Sequence, residues 1–170
     1  NLTSGTIYTS YDRTRCRSTE TIQRSEPLHI GQDFNVNNMA SVVTVRRGDQ
    51  WHTVDELKGL RDTPHLIDVL KERYAGHHIT IYPDASGGSS KSVNASVSDL
   101  QLLRNAQFSI RAPKANPRVK DRILSMNAAL EKGMLLVNDR ACPDLAEALE
   151  QQSYDKNGEP DKTSGHDHHN

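Results

Sequence analysis

Three acidic residues stand out by where they fall in the chain. Asp33 lies in an otherwise apolar stretch, two residues past Gly31. Asp84 follows the apolar run Ile79-Thr80-Ile81-Tyr82 and Pro83, just before a stretch rich in Ser and Gly. Asp167 sits in the run Gly165-His166-Asp167-His168-His169. A carboxylate at the centre of one strand and another at the C-terminal end of an adjacent strand can converge on one point. Buried anions brought together repel, so they need a cation between them. Carboxylate oxygens with open water positions suit Mg²⁺ or Mn²⁺. Two such ions roughly 3.5–4 Å apart can activate a water and stabilise the leaving oxygen in phosphodiester hydrolysis. Each residue also has a plainer reading. Asp33 can cap a strand end or pair with an arginine, Asp84 can close an Asx turn, and Asp167 can be an ordinary residue of a polar tail.

Other chemistries find less support. His166, His168 and His169 cluster, but no Cys or HExxH pattern accompanies them, so a zinc site is not indicated. No residue is placed as a nucleophile on a sharp turn. Ser86-Gly87-Gly88 has the glycines of a phosphate loop without GxxxxGK[ST], so ATP hydrolysis is not expected of this stretch of chain. The charges nearly cancel, with 21 Lys and Arg against 22 Asp and Glu, so nucleic-acid binding would need a local basic patch. The residues for one are Lys91, Arg111, Lys114, Arg118, Lys120 and Arg122, dense between 111 and 122. They can line a path for a phosphate backbone, or be a solvated surface. Cys16 and Cys142 are far apart and read as free thiols. No apolar run approaches ~18 residues, so no membrane span and no membrane partner are expected.

These residues need elements to position them. A chain of 170 residues with 34% hydrophobic composition supports one modest core. Residues 1–26 show little periodicity and read as a connector or N-terminal arm, with one short strand near residues 6–9; the domain proper is expected over 27–170. Residues 28–34 form the first core strand. Residues 39–45 and 50–57 pair as a hairpin through a turn at 46–49. Thr63 caps a helix with Pro64 at its first position and Gly76 at its end. A buried strand at 78–82 follows, then a loop at 85–95 expected to be mobile. A short helix at 98–105 and a strand at 108–111 come next. A third helix opens at Asn116-Pro117, carries Val119, Ile123, Met126 and Leu130 on one face, and closes at Gly133. A strand at 134–137 leads to a fourth helix that opens at Pro143. An antiparallel start passing into alternating helices and strands implies an α/β fold, a mixed central sheet flanked by helices. RNase H-like folds have this layout.

The ordered set of motifs resembles the nuclease domains of tailed-phage large terminase subunits, of the headful-packaging type. The segments that carry the resemblance are Ile30-Gly31-Gln32-Asp33-Phe34-Asn35, Thr53-Val54-Asp55-Glu56-Leu57 and Ile81-Tyr82-Pro83-Asp84-Ala85-Ser86-Gly87. Asn116-Pro117-Arg118-Val119-Lys120-Asp121-Arg122-Ile123 and the ending from Lys162 to Asn170 follow in the family's order. The resemblance implies an RNase H-like core and a two-metal cluster of Mg²⁺ or Mn²⁺ on Asp33 and Asp84. A third acid should come from a C-terminal helix; Asp167 is the acid this chain offers there, with His168 as its neighbour. Asp55 and Glu56 are candidates for a supporting position behind the ligands. The implied activity is cleavage of double-stranded DNA during genome packaging. The implied partners are DNA, the portal protein, a small terminase subunit and an ATPase region of the same full-length chain. The implied place is the procapsid portal in the host cytoplasm. The chain is expected to be a C-terminally incomplete domain that binds metal weakly. Two alternatives stay open: a Holliday-junction resolvase or transposase-type nuclease of the same fold, and a non-catalytic DNA- or portal-docking module.

Overall fold

The computed structural model describes residues 7–83, 95–112 and 119–151. Six strands form one sheet in the order β5-β4-β1-β2-β3-β6. Strands β1 (Leu28–Asp33), β2 (Met39–Arg47) and β3 (Gln50–Leu60) form an antiparallel meander. On one side β4 (Ile79–Pro83) pairs parallel with β1, and β5 (Ser109–Ile110) parallel with β4. On the other side β6 (Leu135–Val137) pairs parallel with β3. The mixed sheet flanked by helices expected from the sequence is what the chain forms.

Among the described residues, four helices connect and follow these strands: α1 (Thr63–Arg73), α2 (Val97–Asn105), α3 (Val119–Glu131) and α4 (Pro143–Gln151). The sheet's first face packs Leu28, Ile30, Val43 and Ile81 against Leu66 and Leu70 of α1 and Leu103 of α2. The second face is covered over its β2-β3-β6 half by Ile123 of α3 and by Leu145 and Leu149 of α4, with Ile7 and Tyr8 of the N-terminal segment. That segment also meets the edge of β6. Val137 N–H donates to the Cys16 carbonyl, and Ser18 N–H to the Val137 carbonyl, both at 2.8 Å. An edge strand that would otherwise present unpaired backbone groups is thereby covered.

Several local expectations are corrected. No strand forms at residues 7–9; Ile7 and Tyr8 are instead buried in the second core. Arg46 and Arg47 belong to β2, paired with Trp51 and Gln50, so the turn is only Gly48-Asp49. The N-cap of α1 is Asp62, whose carboxylate accepts from His65 N–H at 2.9 Å. Thr63 is the first helical residue, and its hydroxyl reaches Asp99 of α2 at 2.8 Å. Gly76 and Gly133, with φ of 85° and 69°, take the left-handed turns that follow α1 and α3.

One irregularity matters for the site. Between Val43–Asp55 and Thr44–Thr53 the β2–β3 register shifts by one, so Val54 is an extra residue in β3. This is a β-bulge. Val54 packs in the first core and Asp55 meets α1, both on the first face, whereas Glu56 meets α4 on the second.

Candidate active site

Asp33 is the last residue of β1 rather than a mid-strand one, and it is 8% exposed. Its Oδ1 accepts from Asn35 N–H at 3.1 Å and its Oδ2 from Asn35 Nδ2 at 3.0 Å. The preceding residue fixes the backbone here. Gln32 is fully buried, accepts from the Ser41 hydroxyl, and donates from Nε2 to the Asp33 carbonyl at 3.0 Å. Because side chains alternate along a strand, the face opposite Ile30 and Gln32 carries His29, Gly31 and Asp33. On β4 the same face carries Thr80 and Tyr82, since His29 pairs with Thr80 and Gly31 with Tyr82. The last pair in this parallel ladder is Gln32 with Pro83.

Among the described residues, nothing packs over this half of the second face. Gly31 lies within β1, a strand flanked on both sides, yet it is exposed, and a Cβ built on it would meet nothing within 4 Å. Its φ is not in the left-handed range, so neither backbone conformation nor packing requires a glycine there.

The other predicted residues divide into three groups. Asp84, Asp167, His168, Lys91, Lys114 and Arg118 lie outside the described residues. Asp55 and Glu56 are each engaged by a helix. Asp55 pairs with Arg73 at 3.0 Å and accepts from the Tyr74 hydroxyl at 2.7 Å. Glu56 accepts from Asp144 N–H at 2.8 Å and Leu145 N–H at 3.0 Å, the first free amides of α4. Burial pushes the Glu56 carboxyl above its ordinary range, against the pull of those two amides. Of the remaining basic residues, Arg111 is exposed just past β5, while Lys120 and Arg122 lie on α3. Among the described residues no three His, Cys, Asp or Glu side chains are grouped to hold a metal.

Sequence reasoning missed a ring cluster on the same face, reaching from β4 across to the start of β3. His29 Nδ1 and the Tyr82 hydroxyl are 2.8 Å apart. The His29 and Trp51 rings meet edge to face at 5.0 Å, and the Arg46 guanidinium lies 5.4 Å from the Trp51 ring centre. Burial lowers the His29 pKa from its ordinary 6.5, and the charges of Arg111, Arg46 and His78 lower it further. The signal was available in strand parity: His29, Gly31 and Asp33 alternate, as do Thr80 and Tyr82.

A model of the terminase RNaseH-like domain matches residues 30–170. No curated protein matches the chain. Among solved structures, the large terminase of a thermophilic bacteriophage is 19% identical with a TM-score of 0.70, covering 94% of this chain and 41% of its own. The chain thus spans less than half the length of that protein. The P22 large terminase nuclease domain is 17% identical with a TM-score of 0.70, covering 98% of this chain and 88% of its own. The large terminase nuclease of thermophilic phage G20c, solved with bound magnesium, is 18% identical with a TM-score of 0.59, covering 95% of this chain and 87% of its own.

Proposed function

The chain belongs to the terminase RNaseH-like domain family, and on that premise we propose that it is a divalent-metal-dependent endonuclease that cuts double-stranded DNA during phage genome packaging. The observation that carries the reading is the register of β1 and β4. Gln32 pairs with Pro83, and the residues that follow these two in sequence are Asp33 and Asp84. Two carboxylates following a parallel pair are the oxygen donors that Mg²⁺ or Mn²⁺ takes. The magnesium in the G20c nuclease supports the choice of metal.

In this reading Asp33, Asp84 and Asp167 hold one or two ions. When bound, such ions supply an activated water for attack on phosphorus and neutralise charge on the leaving oxygen. The chain's own groups prepare the place. Asn35 orients both oxygens of Asp33. The buried Gln32–Ser41 pair holds the end of β1 against β2. The open face beside Gly31 leaves room for a phosphodiester to approach the backbone. Arg111, Lys120 and Arg122, with Lys91, Lys114 and Arg118, contact phosphates. Portal protein, a small terminase subunit and the ATPase region of the full-length chain are the partners, at the procapsid portal in the host cytoplasm.

The test is nicking of supercoiled plasmid across Mg²⁺ and Mn²⁺ series. The wild-type chain should nick only with metal, and Asp33→Asn should fall to the level of the metal-free control. DNA binding without nicking at any metal concentration would make the domain a docking module instead. Preference for a four-way junction over linear duplex would move the reading to a resolvase.

A further inference from the structure

The ring cluster beside Asp33 has no part in the core. His29, Tyr82 and Trp51 are half-buried on the second face, His29 and Tyr82 in the half that no described helix covers and Trp51 at the start of β3, and Arg46 and Arg111 at the two sides of the cluster are exposed. Half-buried rings with cations at their margins complement a duplex backbone, the cations meeting phosphates and the rings the apolar faces of the sugars. Arg46 on β2 and Arg111 beyond β5 are separated by at least three strand spacings, about 14 Å. They are far enough apart to meet different phosphates. Gly31 lies between them, and its missing side chain lets a strand lie close to the sheet. The strip is continuous with Asp33, two residues along β1 on the same face.

We propose that this strip is the track on which one strand of the duplex lies as it approaches Asp33, with Arg46 and Arg111 on its phosphates and Trp51, His29 and Tyr82 against its sugars. The proposal rests on the endonuclease reading above, shares Arg111 and Gly31 with it, and adds Arg46, Trp51, His29 and Tyr82. The occupant is DNA rather than a protein because the strip pairs exposed arginines with rings and runs into the carboxylate proposed to act on a phosphodiester.

Trp51 is the single tryptophan of the chain, so its emission reports directly on the track. Duplex DNA is titrated into the chain with EDTA present, and the titration is repeated over a salt series. Trp51 emission should change saturably. Arg46→Ala and Arg111→Ala should each weaken binding several-fold and reduce the salt slope by about one. Arg104→Ala, on α2 at the opposite face, should leave binding unchanged. Gly31→Val should fold normally, because its Cβ has open space, yet bind DNA more weakly. DNA binding with unaltered Trp51 emission, or equal losses from Arg46→Ala and Arg104→Ala, would overturn the track. So would an emission change caused by the ATPase region but not by DNA. Plasmid nicking on the same samples separates the two readings. A chain that nicks with metal while Trp51 stays silent loses only the track. A chain whose Trp51 responds to DNA but which never nicks keeps the track and loses the endonuclease.

Discussion

Both side-chain oxygens of Asp33 accept from Asn35, which sets an expectation for its most informative variant. Asp33→Asn keeps the shape and one good acceptor, so it should cost about 1 kcal/mol of stability or less. A thermal melt should therefore show little change in the variant that loses nicking; a large fall in Tm would mean that the carboxylate serves the fold. His29 gives a pH expectation. Its folded pKa is depressed below the ordinary 6.5, so the unfolded chain binds the proton more readily. The associated stability is present above that value and lost as pH falls through the window beneath it. His52 is lowered in the same direction, again first by burial. His29→Gln should flatten part of the decline in Tm between about pH 7 and pH 5, and an unchanged slope would count against the shift. Asp33 was legible as a candidate because a carboxylate in an apolar run is conspicuous. His29, Trp51 and Tyr82 were not, because each is a common strand residue and only the pairing of separate strands brings them together.

At the scale of elements, Glu56 does for α4 what a capping residue usually does from within the helix. It reaches from β3 to the amides of Asp144 and Leu145, while Lys58 pairs with Asp144 at 2.7 Å. Glu56→Ala should leave those two amides without that acceptor and cost about 1–3 kcal/mol. Glu56→Gln, with one oxygen remaining, should recover part of it in a denaturant melt. Equal melts for wild type and Glu56→Ala would show that water replaces the carboxylate freely. In the first core, Leu66→Ala removes a fully buried side chain and should cost about 2–5 kcal/mol. Helix positions were legible from the recurrence of apolar residues. Caps were less so: Thr63 looks like a cap from its own sequence, but its hydroxyl is taken by Asp99, thirty-six residues away. The partners of Asp55 and Glu56 were hidden for a related reason, since the bulge at Val54 resets strand parity without any Gly or Pro to mark it.

For the molecule as a whole, the two faces of the sheet are unequal. Among the described residues, one is covered by α1 and α2, the other only over its β2-β3-β6 half. Class and layering followed from the succession of elements, but the strand order did not, because adding β4 beside β1 and β6 beside β3 depends on contacts between distant segments. If divalent metal binds the folded chain and not the unfolded one, it raises stability by mass action, about 2.7 kcal/mol at a hundred times Kd. Mn²⁺ should therefore raise the Tm of the wild-type chain and leave Asp33→Asn where it was. Parallel shifts in both would place the ion elsewhere.

The extra residue in β3 also acts as a frame setting for the whole sheet. Up to Thr53 the strand counts in one phase and from Glu56 in the other. Removing Val54 would close the ladder, because Thr53 and Asp55, which already pair with the consecutive residues Thr44 and Val43, would then be consecutive themselves. Asp55 would stay with Arg73 and Tyr74 and Glu56 with α4, and what would be lost is the packing of Val54 in the first core and the local bend of the strand. A deletion in this strand is thus gentlest at the bulge itself, whereas one among the regularly paired residues would slip the register and send each following side chain to the opposite face.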